Sequence, residues 1–326
     1  MVDHREPLLT ADEVGILVSS AATAPSMHNT QPWRFEVSGR VVDVILDEDR
    51  SLPAEDQAGR MILIGLGAAT FNLRVAAAML GHETTFATRP DPDRPEIVTR
   101  VFLGGRQAPM PPLGSLYGEL RRRHTYRGPM VAIDVQPRVL SLIRTAARVE
   151  GADLCWLDPS STRDLVRILR EADELDLHDE DRLTERGRWI GGDRSEDGVP
   201  ERALGPIPAR PAAFRDLSAG FDDQQRSVGV FELEPRIAVL STGENRPSEW
   251  LRAGMALQHA LLTATSYGLV ASFLNQALEY ADLRSRVQNL VDRNARPQMI
   301  IRIGFPAMTG ADTPRRPWQQ TLAEWE

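Results

Sequence analysis

The sequence predicts an α+β fold assembled as two tandem repeats. Two apolar, helix-length stretches, 67–81 and 254–268, each run from one glycine to another over the same span. Within them Ala69 aligns with Ala256 and Ala77 with Ala264, and Phe86 aligns with Phe273 five residues past the closing glycines. Each stretch is apolar nearly all round, as a central buried helix must be, and each leads into β-rich sequence. Self-similarity at a fixed offset marks a repeated unit.

The other elements fit the same plan. Residues 11–22 read as a helix with Thr10 as its N-cap. Residues 35–44 read as a hairpin with Ser38-Gly39 at the turn. The first central helix closes at Gly81, a residue suited to the left-handed C′ position. A strand at 98–103 ends the first repeat. Pro109, Pro111 and Pro112 mark the boundary, giving repeats over 7–110 and 111–326. In the second repeat, helices are predicted at 136–148, 161–176 and 248–267, and strands at 153–157, 236–240 and 299–303. Residues 187–211 carry five Gly and four Pro among mixed charges. A long irregular segment of this kind reads as a lid-like insert.

Composition narrows the function. The chain has 326 residues, 42% apolar and 26% charged, which is globular. Aromatics are 6%, so Leu, Val, Ile and Ala must build the core. The net charge of -8 argues against a general nucleic-acid or anionic-membrane binder. All 38 basic residues are Arg, which excludes Schiff-base and P-loop lysine chemistry. One cysteine, Cys155, can form neither an intrachain disulfide nor a Cys-based zinc site, and reads as a buried, inert thiol. The apolar stretch 61–80 is broken by Thr70, Asn72 and Arg74 and makes a poor membrane span. The N-terminal sequence is polar and mixed in charge. A cytoplasmic protein is expected.

Four strings carry chemistry. Residues 24–35 read Ala-Pro-Ser-Met-His-Asn-Thr-Gln-Pro-Trp-Arg-Phe at a helix–loop–strand junction. Pro25 and Pro32 stiffen the loop, and Ser26 and Asn29 offer polar side chains. Residues 122–130 read Arg-Arg-His-Thr-Tyr-Arg-Gly-Pro-Met. A guanidinium's planar fork suits a phosphate. Residues 272–276 read Ser-Phe-Leu-Asn-Gln, and 313–318 read Thr-Pro-Arg-Arg-Pro-Trp.

The first string resembles the A-P-S-x-x-N-x-Q-P-W-x-F signature of the nitroreductase superfamily of FMN-dependent oxidoreductases. The actinobacterial, two-repeat Acg-like branch is the nearest in arrangement. The resemblance implies a nitroreductase-like fold and an FMN site. Pro25, Ser26, Met27, Asn29 and Gln31 would meet the flavin. Arg123 and Thr125 would hold its phosphate and ribityl chain, and Arg127 would sit at the pyrimidine edge. Leu274, Asn275 and Gln276 would lie against the ring, with Asn275-Gln276 replacing the family's usual Glu-Gly pair. Arg315 and Arg316 would bind the phosphate. Simple members are homodimers that build each site from both subunits. Here the first repeat holds the P-S-x-x-N loop and the second holds the arginine strings. Residues 157–161 are the second repeat's expected, degenerate counterpart of that loop. The resemblance thus implies an intramolecular pseudo-dimer with one FMN per chain, monomeric or paired further as a homodimer.

The implied activity is NAD(P)H oxidation through FMN, followed by reduction of a small-molecule acceptor such as a nitro compound or quinone. The alternative is a flavin-holding protein with a lid-covered FMN and little turnover. No catalytic acid or base is assigned. Gly65-Leu66-Gly67 lies inside a helix and is not a dinucleotide loop. The acidic run 178–181 reads as a solvated face, and His259 as a core histidine. His28 and His124 sit inside the flavin strings, with loop packing as the plainer role.

Overall fold

A computed structural model describes residues 9–108, 110–209, 217 and 226–325. Pro109, residues 7–8 of the first repeat and 210–211 of the insert lie outside the described residues. The first half runs α1 (Ala11–Ala21), β1 (Trp33–Ser38), β2 (Val41–Leu46), α2 (Arg60–Met79), β3 (His82–Thr88) and β4 (Ile97–Arg106). A linker with α3 (Glu119–Arg122) follows. The second half begins α4 (Pro137–Val149), β5 (Asp153–Trp156), α5 (Pro159–Leu177) and α6 (Glu180–Gly187). It continues through β6 (Ile207–Pro208), β7 (Val228–Gly229), β8 (Ile237–Thr242) and α7 (Pro247–Ser266). It ends with β9 (Val270–Phe273), α8 (Ala281–Asn289) and β10 (Arg296–Gly304). α9 (Trp318–Thr321) and β11 (Leu322–Trp325) come last.

The two sheets share one strand order. In the first, β1-β2-β4-β3 are neighbours; in the second, β5-β8-β10-β9. All these pairings are antiparallel. In each half one helix precedes the sheet, and the long helix α2 or α7 joins the second strand to the third. β11 then crosses back and pairs parallel with β1 at the edge of the first sheet.

Local sequence explains the elements. Thr10 and Glu13 close a capping box on α1. α2 and α7 end with Gly81 and Gly268 at φ +90° and +76°, a conformation cheap only for glycine. The hairpin turn is Gly39-Arg40, one residue later than expected, because Ser38 still pairs with Val41.

α2 and α7 cross at the centre with their backbones in contact. A Cβ at Gly67 would lie 2.1 Å from the Leu251 carbonyl oxygen, and one at Gly254 would lie 2.0 Å from that of Ile64. A single sequence offset relates both pairs, so the crossing is reciprocal. Leu63, Ile64, Leu66, Leu251, Leu257 and Leu261 are buried around it. α2 is long and apolar enough to cross a membrane, but it is buried here as the core helix.

Two sequence expectations are corrected and a third is refined. The loop joining α1 to β1 spans 22–32, and its topological counterpart between α4 and β5 is only 150–152. Residues 157–161 instead start α5, where Asp158 caps Ser160 and Ser161. Cys155 is half-buried rather than buried, although burial still pushes its thiol up, as an inert thiol requires. The run 178–181 is solvated at His178, Glu180 and Asp181, but Asp179 caps α6, whose Arg182, Glu185 and Arg186 are buried.

Candidate functional site

The 22–32 loop is held in a strained conformation. His28, Asn29 and Gln31 have φ of +48°, +57° and +52°. Left-handed backbone in non-glycine residues costs about 1–3 kcal/mol each and gathers where surroundings over-determine it. Ser26 Oγ accepts the Gln31 N–H at 2.9 Å, which closes the turn.

A cleft opens beside this loop, between the halves. It encloses about 1140 Å³, its open mouth included. Pro25, Ser26 and Met27 line it from the loop, and Thr125 and Arg127 from the linker. Leu274, Asn275 and Gln276 line it from the turn after β9. Asn275 Oδ1 accepts the Ile300 N–H at 2.9 Å, which fixes that turn to β10. Gln276 is buried, and its Nε2 has no partner among the described residues. Arg127 donates to the Ala203 carbonyl at 3.1 Å, and burial pulls its guanidinium down to about 10.

The remaining predicted residues form a second cluster behind the loop. Arg123 and Arg315 both donate to the Thr23 carbonyl, at 3.1 and 3.2 Å. Burial pulls Arg123 down to about 9, with the positive Arg315 adding to the shift, and pulls Arg315 to about 10. Guanidiniums stay charged at neutral pH, so these shifts express chiefly the cost of taking two cations out of water, with the neighbouring Arg315 adding to it at Arg123. The carboxylate that offsets them is Asp312, whose side chain is 80% exposed. The Nε atoms of Arg123, Arg315 and Arg316 are buried without partners among the described residues. Arg316 donates its backbone N–H to Gln31 Oε1 at 2.9 Å and lies 3.6 Å from Asp47.

Asn29 and Gln31 point their amides at backbone rather than into the cleft. Asn29 Nδ2 donates to the carbonyls of Gly198 and Pro314, both at 2.9 Å. Its Oδ1 accepts from Arg315 at 2.9 Å. Gln31 Nε2 donates to the Glu196 carbonyl at 2.8 Å. Gly198 and Glu196 belong to the lid-like insert. That insert has a small core of Ile190, Val199, Ala203 and Leu204. Its Leu204, Pro206 and Pro208 line the cleft.

Sequence reasoning missed several cleft residues. Met61, Ile64 and Gly65 come from α2. Arg302, 1% exposed, is paired with Glu232 through Nε and Nη2 at 2.5 and 2.7 Å. An arginine in the apolar run 299–303 is the signal that could have found it. Glu279, on the cleft, pairs with Arg182 of α6. His28 also lines the cleft and bonds Glu55. His124 packs edge-on against Tyr126 instead. His259 is partly buried, stacks on Phe71 and lies 3.4 Å from Glu150.

No family model matches the sequence. Among curated relatives, Rv3131 of Mycobacterium tuberculosis is 31% identical over 331 residues, which cover 97% of this chain and 92% of that one. The acg protein of the same organism is 28% identical over 317 residues, 96% of each chain. Both carry NAD(P)H nitroreductase as a provisional name. A crystal structure of a nitroreductase-type protein in complex with FMN from Desulfovibrio desulfuricans aligns at a TM-score of 0.37. That alignment has 17% identity and covers 64% of this chain and 95% of that one. NfrA1 nitroreductase of B. subtilis aligns at 0.37 and 12% identity, over 63% and 72%.

Proposed function

This chain belongs to the nitroreductase superfamily, in the branch of the mycobacterial acg and Rv3131 proteins, and from that premise we propose that it is an FMN-dependent oxidoreductase with one flavin site per chain. The observation that carries the reading is the Arg123–Arg315 pair. Buried Arg123 and half-buried Arg315, each with an orphaned Nε, adjoin the strained loop and have no buried counter-ion among the described residues. A phosphate dianion is the group that would offset that charge.

In this reading Arg123 and Arg315 hold the FMN phosphate, with Arg316 close by. Thr125 serves the ribityl chain. Ser26, Met27 and Pro25 meet the ring from one half, and Leu274, Asn275 and Gln276 from the other. The orphaned Gln276 Nε2 gives the ring edge a donor. Arg127 places a fixed positive charge on the cleft. Bound FMN would supply hydride transfer between NAD(P)H and a small-molecule acceptor such as a nitro compound or quinone. The protein supplies orientation, charge and exclusion of water.

The two halves take the roles of two subunits. Their common strand order and the reciprocal α2–α7 crossing support this. The 150–152 connection is too short to repeat the 22–32 loop, which supports a single site. A second reading, a flavin-holding protein with little turnover, draws on the insert, which lines the cleft and is clipped to Asn29 and Gln31.

The test is flavin titration followed by anaerobic stopped-flow mixing with NADPH or NADH. Wild-type protein is expected to bind one FMN and bleach rapidly. Arg123→Ala and Arg315→Ala each lose charge-assisted bonds of about 1.5–3 kcal/mol, so FMN affinity falls roughly 10- to 150-fold. Variants that retain full flavin overturn the phosphate assignment. Flavin that bleaches with dithionite and not with either nucleotide selects the holding role. Protein that takes up no FMN overturns both readings.

A further inference from the structure

We propose that His28 delivers the proton required when the acceptor is reduced, with Glu55 holding its imidazole in position; the proposal rests on the oxidoreductase reading above. His28 is 8% exposed and lines the cleft from the strained loop. Its Nε2 lies 2.8 Å from Glu55 Oε2, and Glu55 is 3% exposed. Among the described residues no group bonds His28 Nδ1, and that atom is absent from the sealed, unpartnered nitrogens of the core. One ring nitrogen is therefore anchored and the other is left to the cleft.

The anchor is itself fixed. Glu55 Oε1 accepts from Arg186 Nε at 2.9 Å. The Glu55 backbone N–H donates to Glu185 Oε2, also at 2.9 Å. Arg186 in turn donates to Asp176 Oδ2 at 3.0 Å. The charged groups around the imidazole are thus Glu55 before α2, Glu185 and Arg186 on α6, and Asp176 on α5. Glu279, Arg127, Arg226 and Arg302 share the cleft wall. An anchored carboxylate orients an imidazole and stabilises it when it carries the extra proton. The guanidiniums on the wall do not release protons. Glu279 is engaged by Arg182. His28 is the one imidazole lining the cleft among the described residues.

The chemistry needs such a group. Reduction of a quinone to a hydroquinone adds two electrons and two protons. A hydride brings the electron pair and one proton from reduced flavin, which NAD(P)H regenerates. The second proton passes from His28 Nδ1 to a quinone oxygen, forming an O–H bond as the N–H bond breaks. Water then returns a proton to Nδ1. Glu55 accepts from Nε2–H throughout.

The test bypasses the nicotinamide. Protein reduced anaerobically with dithionite is mixed with 1,4-benzoquinone, and flavin reoxidation is followed. Ferricyanide, which takes electrons without a proton, serves as the control acceptor. His28→Gln is expected to keep its flavin and its ferricyanide rate within twofold. Its benzoquinone rate falls about 100-fold, the lower end for a positioned general acid. The alkaline decline of the wild-type quinone rate disappears in His28→Gln and moves in Glu55→Gln. A readout free of turnover is ¹⁵N-histidine NMR of the wild-type protein, with His28 assigned by the His28→Gln spectrum or, if that variant misfolds, by Glu55→Gln perturbation. Nε2 is expected to keep its proton toward Glu55, and Nδ1 to exchange its own with water. A wild-type quinone rate in His28→Gln, or an Nε2 that carries no proton while Nδ1 does, overturns the proposal alone. Wild-type reduced flavin that benzoquinone does not oxidise overturns the oxidoreductase reading and this one together.

Discussion

The α2–α7 crossing gives Gly254→Ala the tightest contact of any alanine placed at the described glycines. The added Cβ would lie 2.0 Å from the Ile64 carbonyl oxygen, 2.8 Å from its carbon and 2.9 Å from Ala68 N. All three are backbone atoms, so no rotamer change relieves them. Ordinary contact begins near 3.4 Å, so the helices must part by roughly 1.4 Å, and a gap of 0.5–1 Å already forfeits a quarter to a half of a dispersion well. Alanine returns about 1 kcal/mol of helix propensity. Overpacking costs about 1–3 kcal/mol, or more where the backbone must move. With all three clashes on backbone the gross cost is taken at about 4 kcal/mol, so a net loss of about 3 kcal/mol is expected. At about 2.1 cal/mol/K per residue the unfolding entropy is roughly 0.7 kcal/mol/K, so Tm falls by about 4 °C. Calorimetry at fixed flavin concentration reads this directly. Gly67→Ala is expected to match it, with a Cβ 2.1 Å from Leu251 O. The double variant costs less than the sum, because one separation relieves both overlaps. Gly65→Ala is the control, since its nearest atoms lie at 3.5 Å. A Gly254→Ala protein that melts at or above the wild-type temperature refutes the reasoning.

Other substitutions test separate features. Asn29→Ala removes the bonds to Gly198, Pro314 and Arg315 and places alanine at φ +57°. Amide exchange at 190–204 is expected to accelerate at least tenfold, with a smaller loss of FMN affinity than Arg123→Ala; unchanged protection at Val199 counts against it. Glu150 tests the pH dependence. Burial pushes its carboxyl up, but His259 and Arg74 together outweigh that and hold it below the usual glutamate range. A carboxylate with a lowered folded pKa stabilises above its unfolded value, and that contribution fades as pH falls through the folded value. Glu150→Gln should therefore cost about 2 kcal/mol at pH 7, where half-buried Arg74 loses its partner. Its Tm difference from wild type should close toward pH 3. A difference that stays constant from pH 7 to pH 3 disproves the linkage.

Local signals made much of the fold legible. Thr10 with Glu13, the closing glycines Gly81 and Gly268, and the apolar periodicity of α2, α5 and α7 each act within a few residues, so the sequence displays them. The P-S-x-x-N loop and the linker arginines were legible as a motif, and eight of the thirteen residues named in advance line one cleft. What could not be read is long-range. Nothing in 322–325 announces a strand that pairs with β1. Arg182, Glu185 and Arg186 give no local sign of burial because two of the groups they meet, Glu55 and Glu279, lie far away in sequence. Asn29 and Gln31 look like ligands for a cofactor, yet their amides meet Gly198, Pro314 and Glu196, contacts that only the insert's path creates. His28 looks like loop packing until Glu55 is placed beside it.

β11 ties assembly of the molecule to the order in which it is made. The first sheet is missing its β11 neighbour until Leu322 arrives, long after Trp33 has left the ribosome. Through that interval β1 presents an open hydrogen-bonding edge, the kind of surface that recruits stray strands. Arg315 and Arg316 lie just upstream of the strand that closes it, so the same late docking that seals the edge delivers two of the arginines proposed to anchor the flavin. Apoprotein nicked between 304 and 315 should therefore be sticky as well as colourless, and addition of FMN to the intact chain should suppress aggregation during refolding, because a ligand held by these arginines favours the docked end over the frayed one.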